Sequence, residues 1–487
     1  MKMIALSHQE QSHCWAAEGI AYCSRPCAPE VQRLSIYIPD RYLDFKGETD
    51  GAAEFGTVHG ATYSASTVPV VLYNDIGGYA ECAPAHLTSR NRRYLEDGYV
   101  VVSVGARGRQ SRDGMGRACG KAPAGLVDLK AAVRWLRAHA DELPAGNVEQ
   151  IVSVGTSAGG AMSSLLAVTG NVAEYLPYLE AIGAELDQRD DVFAAQCYCP
   201  IIDLDHADMA YEWMYRSKRI YTFGPRALPQ VLDDKQLAVG KELADNYPSY
   251  VNSLGLLVDL GEDGRSGSYY RALMAEISNA LNEFLERRAS TDEARHALAE
   301  ELDAGAGYIV WSDGRARIDD LDAYVRSYVG RMKGCPAFDP FDGSAPENQE
   351  FGAYGATEGA TNDSLHYSAT TAQVISRVAD RMKAFGLEDL AASYAQDCAL
   401  DGQAEKTRLI NPMAMLAAAQ GNSDIASHVR IRVGSRDADH SFSAGFNLYQ
   451  ALRARGVDVD YGLIWGRGHC DADYPGEFSA WVDMIAK

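Results

Sequence analysis

The stretch VSVGTSAGGA, residues 152–161, decides how the rest of the chain is read. Small and β-branched residues run into Ser157, which Gly155 and Gly159 bracket, and a small, apolar run follows. IVSV (151–154) has the composition of a buried parallel strand and AGGAMSSLLAVTG (158–170) that of a helix. Strand, sharp turn and helix are the setting of a nucleophile elbow, which holds a serine exposed above a sheet. Bulky neighbours would clash there, so Gly155 and Gly159 have a steric reason to be small. An ordinary βα turn with a capping serine fits the same pattern. In a chain with 45 glycines the G-x-S-x-G spacing alone does not choose between them.

Composition narrows the field. Against 45 Lys and Arg stand 67 Asp and Glu in 487 residues, a formal charge of −22. Nucleic acid and anionic membrane surfaces both need basic partners, so neither is expected. No apolar run reaches the ~18 residues of a membrane span. The start, MKMIALSHQEQSHC, has no apolar signal-peptide core, and a cytoplasmic location is the expectation. Ten cysteines are scattered along the chain, which suits reduced thiols. The two tight pairs, Cys23/Cys27 and Cys197/Cys199, lack further ligands at zinc spacing, so no metal site is expected.

Five short β-branched runs lie in the first two hundred residues: RLSIYIPD, VPVVLYND, YVVVSVGA, IVSVGTS and FAAQCYCP. Helical patterns separate the last three, clearest in GLVDLKAAVRWLRAHADEL (125–143). Alternating strands and helices predict an α/β fold with a mostly parallel sheet covered on both faces. From about residue 206 the pattern turns helical, as in KQLAVGKELADNYPSYVNSLG, YYRALMAEISNALNEFLERR and LDAYVRSYVGRMK. Strand–helix alternation resumes with VRIRVGSRDAD and ends in the helix EFSAWVDMIAK. The organisation expected is an α/β-hydrolase core over residues 1–205 and 405–487, interrupted between its late strands by a large, mainly helical lid over 206–404.

A nucleophilic serine needs a base, and the base needs an acid to fix its tautomer. In α/β-hydrolases the order along the chain is Ser, then Asp or Glu, then His. VGSRDADHSF places Asp437 just after one strand and WGRGHCDADY places His469 after the next. Carboxyl ends of strands are where an open α/β sheet builds its site. Each residue alone could be a loop histidine or a capping aspartate. Arriving together, in order and after the right elements, Ser157, Asp437 and His469 read as a catalytic triad. For the oxyanion, the amide of Ala158 supplies one donor and the loop YNDIGGYAE, with Gly77 and Gly78, the other. That loop could equally be a plain turn.

Beyond the triad, the chain resembles bacterial tannases (tannin acyl hydrolases) from about residue 17 to its end. The segments that carry the resemblance are GIAYCSRPCAPEVQRLSIYIPDRYL, NDIGGY, GARGR with GKAPAGLVDLKAAVRWLR, GTSAGGA and CPIIDLDHADMAYEW. Further along they are GRMKGCPAFD with APENQEFG, RIRVGSRDADHSF and LIWGRGHCDADY. Residues 366–404 lie outside it, and their role is open. The resemblance implies hydrolysis of small-molecule galloyl esters without metal or organic cofactor, with Ser157, Asp437 and His469 as the triad. It also implies that Lys333, Glu347 and Asp439 contact the three ring hydroxyls. A second RMK ends at Lys383 but lacks the downstream PAFD and APEN. Read without the resemblance, Lys333 and Glu347 are solvated lid charges and Asp439 is a turn residue. Fungal tannases and their feruloyl-esterase relatives join the nucleophile and histidine through flanking cysteines. Here Cys470 follows His469 but Thr156 precedes Ser157, so that tether is absent and Cys470 is expected free. Three alternatives remain: a feruloyl or general aryl carboxylesterase, an inactive hydrolase-fold binding module, and an oligopeptidase, which would need an N-terminal propeller. Sequence says nothing about oligomeric state or about the leaving alcohol.

Overall fold

The β-branched runs pair into one nine-stranded sheet. In a computed structural model, which describes residues 3–44, 46–49, 53–224, 226–418 and 423–486, its strands in chain order begin with β1 (Ser7–Gln9), β2 (Cys14–Ala21) and β3 (Arg33–Pro39). There follow β4 (Pro69–Asn74), β5 (Val100–Val104), β6 (Asn147–Thr156) and β7 (Ala194–Tyr198). The last two are β8 (His428–Gly434) and β9 (Asp458–Ile464). Across the sheet the order is β1-β2-β3-β5-β4-β6-β7-β8-β9. β1, β2 and β3 pair antiparallel, as do β3 and β5, while every pairing from β5 to β9 is parallel. All residues of β4, β5 and β7 are buried, as strands covered on both faces must be. β1 and β2 do not figure among the predicted strands. Half of CWAAEGIA is alanine and glycine, which carry little strand signal of their own, and pairing with β3 makes it a strand.

The helix Ala124–Ala138 is buried almost throughout, charges included. Burial of those charges is tolerable because each is paired. Asp128 takes Arg107 of GARGR at 2.8 Å, and Asp190 takes both Lys130 at 2.8 Å and Arg134 at 2.5 Å. The segments GARGR and GLVDLKAAVRWLR thus lock a helix onto the sheet.

Between β7 and β8 the described residues contribute nothing to this sheet. They form a mainly helical lid, with helices Ala207–Tyr215, Asp234–Ser253, Gly267–Arg288, Asp292–Asp303, Ala369–Arg381 and Glu388–Cys398 among them. Two small ribbons, Ile220–Tyr221 with Gln230–Val231 and Val310–Ser312 with Arg315–Arg317, break the helical pattern. One predicted helix ends early. LDAYVRSYVGRMK is helical over Leu321–Tyr324, widens to a π-helical turn over Val325–Val329 and stops at Gly330, whose φ is 88°. That left-handed backbone ends the helix and sends Arg331–Lys333 away from its axis. Among the described residues no helix is long and apolar enough to cross a membrane. Lys487, at the end of the predicted last helix, lies outside the described residues.

Candidate active site

Ser157 sits between β6 and the helix Ala158–Val168 with φ 63° and ψ −124°, a backbone conformation that costs energy for any residue but glycine. The surroundings enforce it. Ser157 N–H donates to Tyr198 O at 2.9 Å, Gly159 N–H donates to Ile76 O at 2.8 Å, and Ser157 O accepts from Ile201 N–H at 3.2 Å. A Cβ on Gly155 would lie 2.3 Å from Gly159 O, and one on Gly159 2.5 Å from Asn74 Oδ1. Both glycines are therefore sterically required. Ala158 opens the helix, so its N–H has no place in the intrahelical ladder.

Asp437 and His469 follow β8 and β9, as the strand signals predict. His469 Nδ1 and Asp437 Oδ2 are 2.9 Å apart. Asp437 also accepts from Asp439 N–H at 2.9 Å. Burial would discharge both partners, but their mutual attraction wins: Asp437 is held below the usual carboxylate range and His469 above the usual imidazole value. A second histidine, His440, is ruled out as a base. Its Nδ1 accepts from Ser441 N–H at 2.8 Å, which leaves Nε2 to donate to Ile202 O at 3.0 Å. Burial pushes its pKa down to about 4, so it stays neutral. Cys199 lies against the pair, with Sγ and the Asp437 and His469 ligand-type atoms all within 4.8 Å of one another. Burial drives its thiol well above the usual range, which keeps it protonated and a poor metal ligand. Ser157 and His469 line a common cavity of 560 Å³ without a hydrogen bond between them, a bond that commonly tightens only around substrate.

A larger cavity of 630 Å³ also opens on Ser157, and Gly78, Lys333, Glu347 and Asp439 are in its wall. Lys333 Nζ is 3.8 Å from Asp439 Oδ1 and 3.9 Å from the centre of the Phe338 ring. Asp439 Oδ2 in turn stands 4.0 Å from His469 Nδ1. Glu347 is 6% exposed. Burial pushes its carboxyl pKa up, Lys333 and Arg109 oppose this, and Asp439 adds to it. Gly77 lines the smaller cavity, so the 77–78 loop divides the two.

The segment HADMAYEW is the platform for the lysine loop. Tyr211 Oη accepts from the N–H groups of Met332 and Lys333 at 3.2 and 3.0 Å. Glu212 forms a buried ion pair with Arg331, whose Nε donates to Lys333 O at 2.8 Å. Asp208 accepts from the N–H groups of Ala337 and Phe338 at 2.7 and 2.8 Å. Next in line, fully buried Asp339 accepts from Asn348 Nδ2 at 2.7 Å and so fixes the short helix Pro346–Glu350 that carries Glu347. Residues 366–404 now have a place. His366 Nδ1 lies 2.6 Å from Asp339 Oδ1, Tyr367 and Ser368 N–H bond its other oxygen, and Tyr394 Oη donates to its carbonyl. The contacts from Tyr211, Glu212 and Asp208 could not be inferred from spacing, because each joins segments more than a hundred residues apart.

A polar contact stands where the sequence lacks a cysteine tether. Thr156 Oγ1 hydrogen-bonds Asp471, which Arg90 clamps at 2.8 Å. The residue before Ser157 is thus bound to the second residue after His469. Cys470 is free, as are the other nine cysteines.

Three comparisons bear on this geometry. A family model described as BD-FAE matches residues 60–206. No curated protein matches in sequence. Among solved structures, the tannin acyl hydrolase from Lactobacillus plantarum is 30% identical, with 97% of this chain and 94% of that one covered and a TM-score of 0.80. The Fusobacterium nucleatum tannase is 31% identical, with 97% and 95% covered and a TM-score of 0.79. A tannin acyl hydrolase in complex with ethyl gallate is 30% identical, with 97% and 94% covered and a TM-score of 0.79. Near-complete coverage at this identity extends beyond the shared fold to the lid, and the chain belongs to the tannase family, carboxylic ester hydrolases built on the α/β-hydrolase fold.

Proposed function

We propose that this protein hydrolyses galloyl esters to gallic acid and an alcohol, with Ser157 as nucleophile, His469 as base and Asp437 as the group that orients the imidazole. The observation that carries this reading is the composition of one cavity wall, where Lys333, Glu347 and Asp439 stand with Ser157. Three vicinal ring hydroxyls need acceptors and a donor, and these side chains provide two carboxylates and an ammonium. Glu347 gains most, because a buried carboxylate is costly until something donates to it. Similarity to a tannin acyl hydrolase in complex with ethyl gallate supports the same assignment. The lid over 206–404 then serves to carry Lys333 and Glu347 to the nucleophile of the core.

The geometry supports the following steps. His469 takes the proton of Ser157 Oγ as that oxygen attacks the galloyl carbonyl. Asp437, bonded to Nδ1, holds the other ring nitrogen towards the serine and stabilises the imidazolium. The amide of Ala158 and a backbone amide of the 77–78 loop receive the oxyanion. His469 protonates the departing alkoxide, and water repeats the sequence on the acyl-enzyme. No step calls on a metal or an organic cofactor.

The test is kcat/KM for methyl gallate over methyl ferulate, with Ser157→Ala as control. A site built to bond hydroxyls favours the gallate by a ratio on the order of hundreds or more. A ratio near one with turnover of both makes the protein a general aryl carboxylesterase. Ser157→Ala should lose roughly 10⁶-fold in kcat while its unfolding transition stays in place; activity retained in that variant rejects the mechanism.

A further inference from the structure

CSRPC (23–27) sets Cys27 close to Cys23 along the chain, but folding gives Cys27 a different partner. Cys27 and Cys119, 92 residues apart, pack together with Ala28 and Val31 in a small apolar cluster of their own. Neither lines a cavity that opens on Ser157. Cys27 Sγ stands 4.0 Å from Cys119 O. Arg107 Nη1 donates to both residues, at 3.4 Å to the Cys27 sulfur and at 3.1 Å to the Cys119 carbonyl. Its guanidinium cannot turn away, because Nε and Nη2 donate to buried Asp128 at 2.9 and 2.8 Å.

A guanidinium fixed against a sulfur favours the thiolate, the reactive form of cysteine. The Cys119 thiol, hydrogen-bonded to the Cys27 sulfur, acts in the same direction and more strongly. Together they outweigh burial and the Asp128 charge, and Cys27 is lowered to about 6. That bond and burial raise Cys119, which keeps its proton. Burial raises all eight other cysteines. Exposure divides the pair further: Cys27 is partly exposed, whereas Cys119 is buried. A reachable thiolate backed by a sheltered thiol is the arrangement of an attacking and a resolving cysteine.

We propose that Cys27 and Cys119 are an oxidisable dithiol, in which a hydroperoxide oxidises Cys27 and Cys119 then closes a disulfide. With hydrogen peroxide, Cys27 Sγ attacks one peroxide oxygen, so that an S–O bond forms and the O–O bond breaks. The departing hydroxide takes the Cys119 proton and leaves as water. Cys119 Sγ then attacks Cys27 Sγ, the S–S bond forms, the S–O bond breaks, and the second hydroxide is protonated by solvent. The two sulfurs lose two electrons and the peroxide gains them. Arg107 keeps Asp128 throughout, so the helix Ala124–Ala138 stays anchored.

The experiment treats the reduced full chain with hydrogen peroxide at neutral pH and follows intact mass and proteolytic peptides, readouts that do not depend on esterase activity. Wild type should lose the mass of two hydrogens, with fragment spectra placing one bond between Cys27 and Cys119, and dithiothreitol should reverse it. Cys119→Ser should stop at a sulfenic acid on Cys27 that dimedone traps, and Cys23→Ser should leave the bond intact. Cys27 should react at least about tenfold faster than the partly exposed Cys82, Cys398 and Cys470. A bond through Cys23, a sulfenic acid that persists in wild type, or oxidation of Cys27 no faster than of those three would each overturn the proposal.

Discussion

The elbow and the lysine loop border the same cavity, yet different physics holds each in place. Around Ser157 the restraints come from backbone: amides on Tyr198 O and Ile76 O, and glycines where a Cβ would sit 2.3–2.5 Å from another atom. Around Lys333 and Glu347 they come from buried side chains, namely Tyr211, Glu212, Asp208 and Asp339, in contacts such as Lys333 to Tyr211 across 122 residues of chain. The first arrangement is a property of strand–turn–helix packing and serves any ester. The second is particular to this lid and, under the proposed function, decides which acid is held. Reaction and selectivity should therefore be separable by mutation.

The largest effect expected inside the core is that of Asp437→Asn, which should cost about 10⁴-fold in kcat by releasing the imidazole tautomer. Its pH profile carries more information than the rate. In wild type, His469 is raised above 6.5 by Asp437, so kcat/KM should climb with pH through a midpoint above that value. With the carboxylate gone, burial and Lys333 are opposed only by Asp439, and the midpoint should move down. An unmoved midpoint would mean that another group titrates.

On the lid side, Lys333→Met and Asp439→Asn should each cost gallates about 10–100-fold in kcat/KM. Phenyl acetate, which offers no ring hydroxyls, should lose far less. Equal losses on both substrates would erase the distinction between the two regions. Smaller again is the expected effect of Thr156→Val, which cuts the link to Asp471. Slight misplacement of Ser157 against His469 should lower kcat roughly tenfold with KM little changed. Thr156→Ser keeps the hydroxyl and should restore the rate; no difference between the two variants would make the contact incidental.

The mildest test concerns stability. Burial, with Asp339 adding to it, raises Asp208 to about 7. Its contribution is whole at pH values below the ordinary carboxylate range and is lost as pH rises through 7. Melting temperature should consequently fall between pH 5 and 8, and Asp208→Asn, which does not titrate, should flatten that slope by a few degrees. Asparagine keeps the oxygen that receives the Ala337 and Phe338 amides. A slope unchanged in the variant would assign the pH dependence to other groups.

Much of this molecule was legible because its signals are local. Strand β6, the helix after it and the glycines beside the turn all lie between Asn147 and Val168, and backbone sterics acts at that range. Asp437 and His469 were legible because each follows a strand, His428–Gly434 buried nearly throughout and Asp458–Ile464 buried towards its end. Strand β1 escaped because its three residues are too short and polar to show a pattern, and β2 because half of it is alanine and glycine, which show none until a neighbour pairs with them. The end of the helix at Val329 escaped because Gly330 competes with a strong helical pattern on both sides.

Sequence by itself therefore determined the parallel part of the sheet, the turn at Ser157 and the order of the proposed triad, through periodicity and steric rules that operate over a few residues. It supplied Lys333, Glu347 and Asp439 only through likeness to a family. Tertiary structure alone decided that these three share a cavity with Ser157, that residues 366–404 brace Asp339, and that a second, charged cavity reaches His469. Buried charges find partners wherever folding brings them, and that distance in space is written nowhere in their spacing along the chain.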